Sequence, residues 1–81
     1  MSDDIFQKLD CIIKEIKPSA KFFKKDSNLR KDLNLDSLDT ISFFFEVEMA
    51  FNIKIPEPDV SANELFNINM LIKYIEQRIN T

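Results

Sequence analysis

The sequence predicts an all-α protein: a four-helix bundle with three main helices, one short helix and a long first loop. Three observations carry this. Apolar residues recur at helical spacing near both ends of the chain, and a strongly apolar stretch of helix length fills the middle. Nowhere do apolar and polar residues alternate for long enough to build a sheet. The 81 residues make one domain, 1–81, and a small one. Such a chain buries only somewhat over ~60% of its unfolded surface. A lone cysteine rules out a disulfide framework, so large side chains, above all 8 phenylalanines, must supply the stability.

The first helix opens at Ser2, a capping residue, with Asp3 and Asp4 in the first turn where the helix dipole favours acids. Ile5, Phe6, Leu9, Ile12, Ile13 and Ile16 share one face, and Pro18 stops the helix. Cys11 lies off that face. Residues 17–36 lack sustained periodicity, and so long a connection needs anchors. Phe22, Phe23, Leu29, Leu33 and Leu35 are the expected pins, with a short helical turn near Asn28 to Leu33. Asn34 tolerates left-handed backbone better than most residues.

The second helix runs from about Ser37 to Phe51. Asp36 is its N-cap, and Asp39 stands where an acid reaches back in a capping box. Ser37 then projects from the first turn at the positive end of the dipole, which suits a phosphate. Apolar residues cover most of this helix, while Asp39, Ser42 and Glu46 form one narrow polar strip. Leu38, Ile41, Phe44, Phe45 and Phe51 are core candidates. Phe43 and Val47 line either core or an internal cavity. Pro56 and Pro58 break the chain, and a helix of one or two turns is expected from Asp59 to Leu65. Asn67 or Asn69 caps a last helix that buries Ile68, Leu71, Ile72, Ile75 and Ile79 and leaves Lys73 and Arg78 in solvent.

Composition excludes several chemistries. No glycine means no Gly-rich phosphate loop and no nucleophile elbow. No histidine means that neither Ser37 nor Cys11 has the usual base to activate it. Asp36 and Asp39 at an exposed helix start lack the desolvation that paired catalytic carboxylates need. Residues 26–37 superficially space ligands as a calcium loop does, but Arg30, Lys31 and Ser37 fall where a ligand, a glycine and a bidentate Glu belong. No metal site is expected. The net charge of −3 is uneven: Lys21, Lys24, Lys25, Arg30 and Lys31 precede the serine, and from Asp32 to Glu64 every charge but Lys54 is acidic. That field repels nucleic acid and attracts a basic protein surface. No apolar run approaches a membrane span, and no signal peptide opens the chain, so a cytoplasmic protein is expected.

The stretch Asp36-Ser37-Leu38-Asp39 resembles the modification site of the acyl carrier protein family. Leu29-Arg30-Lys31-Asp32-Leu33-Asn34-Leu35 resembles its F-x-x-D-L-G-x approach, with Asn34 where the family usually has glycine. Phe51-Asn52-Ile53-Lys54-Ile55-Pro56 resembles its F-D-x-x-I-P exit, and the likeness spans nearly the whole chain. The resemblance implies a non-catalytic carrier with 4′-phosphopantetheine joined to Ser37, bearing acyl groups as thioesters. It implies as partners a phosphopantetheinyl transferase and acyl-loading and acyl-using enzymes, approached by a monomer. Carried over, the partner-binding positions are Asp36, Leu38, Asp39, Ser42, Phe45, Glu46, Glu48 and Met49. Ser42 and Met49 replace glutamates of many fatty-acid carriers, which points to a specialised carrier in fatty-acid, lipid or polyketide synthesis. The alternatives are an aminoacyl or peptidyl carrier, and an unmodified helical module docking through Phe43, Phe44 and Phe45.

Overall fold

The computed structural model of the chain describes residues 2–19 and 26–79, with side chains from Asp4 onward. Four helices follow in order: α1 (Ser2–Ile16), α2 (Ser37–Phe51), α3 (Glu57–Ala62) and α4 (Ile68–Ile79). Among the described residues there is no strand, only an isolated antiparallel bridge between Asn28 and Asn67. The expected Ser2 cap and the Phe22 and Phe23 pins lie outside the described side chains, as do Lys21, Lys24 and Lys25.

α1 packs against both α2 and α4. Ile5, Leu9, Ile12 and Ile13 of its predicted face are buried, with Phe6 and Ile16 at the edge. α4 returns Ile68, Leu71, Ile72, Tyr74 and Ile75 to the same core. Residues 26–36 of the first loop are held by their own side chains. Asn28 Oδ1 accepts from the N–H groups of Arg30 and Lys31 at 2.9 and 3.0 Å, and Asp32 Oδ2 accepts from the Asn28 N–H at 2.7 Å. These bonds close the expected turn. Leu29, Leu33 and Leu35 then plug the core. Asn34 holds a φ of 56°, the left-handed backbone expected of it, and its carbonyl accepts from Lys17 Nζ at 2.7 Å.

α2 faces differently from the expected orientation. Thr40, Phe43 and Val47 point inward, and Phe43 is the largest fully buried side chain. Leu38, Ile41 and Phe45, read as core, are exposed, and Phe44 and Phe51 are only half-buried. The reason is physical: a helix apolar nearly all round gives burial no preferred direction. Contact with α1 decides it instead. A signal was present in Thr40, whose hydroxyl donates to the Asp36 carbonyl at 2.8 Å and so enters the core satisfied.

α3 also differs. It starts at Glu57, two residues before the expected Asp59, because a proline is welcome in a first turn that needs no N–H from it. Pro56 caps it and Pro58 sits inside it. It ends at Ala62 rather than Leu65, with Glu64 in left-handed backbone at φ 52°. α3 buries no residue of its own. A clasp tethers it: Tyr74 Oη donates to Asp59 Oδ2 at 2.7 Å, and Arg78 donates to the same oxygen at 3.1 Å. Asn67, not Asn69, caps α4, accepting from the Met70 N–H at 3.1 Å.

Candidate functional site

Ser37 is the first residue of α2 and is exposed. Its hydroxyl has no hydrogen-bond partner among the described residues. The backbone around it is firmly set. Asp36 takes an extended conformation (φ −83°, ψ −175°), and its Oδ1 accepts from the Asp39 N–H at 2.8 Å. The Thr40 N–H donates to the Asp36 carbonyl at 2.9 Å. Half of the expected capping box is therefore formed. The Asp39 carboxylate returns no bond among the described residues, since an aspartate is one methylene shorter than the glutamate that usually reaches back. The N–H groups of Ser37 and Leu38 are likewise left at the positive end of the dipole.

An unbonded hydroxyl on a rigid helix start, beside free N–H donors, fits a phosphodiester. It does not fit self-catalysis. No general base stands on it, and Asp36 and Asp39 disfavour ionising the hydroxyl to an alkoxide. Among the described residues no three His, Cys, Asp or Glu converge on a metal position.

The predicted partner residues divide by the face they occupy. Leu38, Phe45 and Met49 form an exposed apolar row with Ile41; Leu38 is 75% exposed and Phe45 58%. Asp39, Ser42 and Glu46 flank that row on one side, with no cation bound to either acid among the described residues. Glu48 stands on the other side and is engaged: its Oε2 accepts from the Ile55 N–H at 2.7 Å, pinning the exit from α2. An open groove of about 550 Å³ runs between α2 and α3, lined by Phe44, Phe45, Ile55, Val60 and Phe66. Phe43 and Val47 do not line it; both are wholly within the core. Sequence reasoning missed Val60 and Phe66, which follow the proline break where periodicity is too short to read.

The phosphopantetheine attachment site family matches residues 7–75. The chain belongs to the acyl carrier protein family. It is 36% identical over 77 residues to an acyl carrier protein of Guillardia theta, an alignment covering 94% of this chain and 93% of that relative. No solved structure matches it. A carrier of this family bears its cargo and leaves the catalysis to its partners, a phosphopantetheinyl transferase and acyl-handling enzymes. The unmodified helical module is thereby set aside. No helix among the described residues is long and apolar enough to cross a membrane.

Proposed function

We propose that Ser37 is the attachment residue and that residues 1–81 act as one monomeric carrier domain in the cytoplasm. One observation carries the assignment: Ser37 presents an exposed hydroxyl, unbonded among the described residues, at the capped start of α2. In the loading reaction a bond forms between Ser37 Oγ and the β-phosphorus of coenzyme A. The phosphoanhydride bond to adenosine 3′,5′-bisphosphate breaks, and the hydroxyl proton leaves with a base of the transferase. Once attached, the 4′-phosphopantetheine arm supplies a thiol on which an acyl group rides as a thioester. Asp36 fixes the direction of the helix start, and the Ser37 and Leu38 N–H groups face the phosphate position.

The enzymes that reach Ser37 meet α2 first. Leu38, Phe45 and Met49 offer them an apolar row, bordered by Asp36, Asp39, Ser42 and Glu46, with Glu48 on the far edge holding the exit in place. The α2–α3 groove shelters an acyl chain. The exposed free thiol of Cys11 suits a reducing compartment. The apolar row in place of a wholly acidic face supports a specialised carrier in fatty-acid, lipid or polyketide synthesis. Intact-mass measurement after incubation with coenzyme A, magnesium and a broad-specificity transferase tests the assignment. The wild-type chain gains the mass of one phosphopantetheine, and Ser37→Ala gains nothing. A loaded Ser37→Ala variant defeats the assignment.

A further inference from the structure

We propose that Phe66 sets the length of acyl chain that this carrier shelters. The proposal rests on the carrier reading above. Two open grooves meet at one partition made of Val60, Ser61 and Phe66. The nearer, of about 550 Å³, begins at Thr40 and Ile41, one turn from Ser37, and its walls are largely aromatic and aliphatic. The farther, of about 610 Å³, is lined by Asn28, Glu64, Asn67, Asn69 and Met70. An apolar chain entering beside α2 therefore finds mainly aromatic and aliphatic walls up to Phe66, with Glu48, Glu57 and Ser61 at their margin, and beyond it a lining of amides and the Glu64 carboxylate with Met70.

The partition is braced on both sides. The Phe66 ring stacks on Phe44 with centroids 6.0 Å apart and 26° between planes. Phe44 in turn meets the edge of Phe43 at 5.5 Å and 69°. Phe43 is anchored in the core, so three rings link the partition to the fold. On the backbone side the Phe66 carbonyl accepts from the Leu29 N–H at 2.9 Å, tying it to the first loop. A ring held this way is a wall. An aliphatic chain that reaches it must stop or turn out into water, and added methylenes then gain no burial.

The test uses the full chain, loaded by the transferase from a series of saturated acyl-coenzyme A thioesters from butanoyl to tetradecanoyl. Loading is checked by intact mass, and the thermal midpoint of each acylated form is read against the unacylated arm-bearing form of the same variant. In the wild type each methylene that enters the groove raises the midpoint, by up to about 3–6 °C when fully buried. The rise then stops at one chain length. Phe66→Ala opens the partition and moves that stop at least about two methylenes longer, as the added volume removes the wall. Phe66→Leu, which keeps an apolar side chain, moves it in the same direction by less and serves if the alanine variant folds poorly. A stop at the same length in both variants overturns the proposal, as does a fully loaded wild type whose midpoint ignores chain length. A wild type that gains no mass defeats the carrier reading itself, and the proposal with it.

Discussion

Asn34, Asn52 and Glu64 all hold left-handed backbone, and the chain has no glycine to offer there. The two asparagines are the residues best suited after glycine, and Asn34 was recognisable for this in the sequence. Glu64 was not, because nothing in its chemistry favours a φ of 52°. It is carried there by its neighbours: the Leu65 N–H reaches back to the Val60 carbonyl at 3.0 Å, and Leu65 itself is fully buried. Glu64 thus bears strain on behalf of Leu65. Glu64→Gly should raise unfolding stability by about 0.5–1 kcal/mol in urea denaturation, while Glu64→Ala changes it little, since alanine bears the same penalty. The geometry of the candidate site was legible at this scale for a related reason. Asp36, Ser37 and Asp39 act through local backbone geometry, which short sequence patterns encode directly.

At the scale of the helix, patterning served α1 and α4 and failed α2. α1 and α4 each carry one apolar face, and the faces read from spacing are the faces buried, except that Ile79, read as buried, is exposed at the end of α4 where no described element covers the last turn, and Tyr74 is buried in addition. α2 has apolar side chains on nearly every side, so only its neighbours choose which are hidden. Single substitutions expose the choice. Phe43→Ala should cost about 3–5 kcal/mol, as an emptied core position does, whereas Phe45→Ala should cost under about 0.5 kcal/mol. Near-equal losses in chemical denaturation would put α2 in another rotation. α3 depends on its clasp. Burial pushes the Tyr74 phenol above its ordinary value, and the bond to Asp59 adds to that, while the Arg78 charge, 4.9 Å over the ring, opposes it. A phenol whose value is raised on folding contributes fully below pH ~10, and that contribution fades as the pH climbs through the folded value. Stability should therefore fall from about pH 10 upward, and Tyr74→Phe should flatten this part of the pH profile. A slope unchanged by that substitution would place the titrating group elsewhere.

For the whole molecule, the sequence disclosed the helix count, the order, the long loop and the position of the serine. It concealed what depends on chain segments meeting at a distance: the rotation of α2, the start of α3 inside a proline pair, the Asp59–Tyr74–Arg78 clasp and the groove. Those arise from pairs such as Phe44 with Phe66, which no window of neighbouring residues contains. The radius of gyration, 11.4 Å, is that of a close-packed domain of this length, so little interior space is left unspent. Open volume is found instead at the margin, in the groove beside the short third helix. Since that helix buries no residue fully and sets only Val60 against the interior, its outward positions are free to vary. Inheritance can enlarge, narrow or reshape the groove at outward positions such as Glu57 and Ser61, while Leu65 and the bond from Tyr74 to Asp59 keep the frame standing.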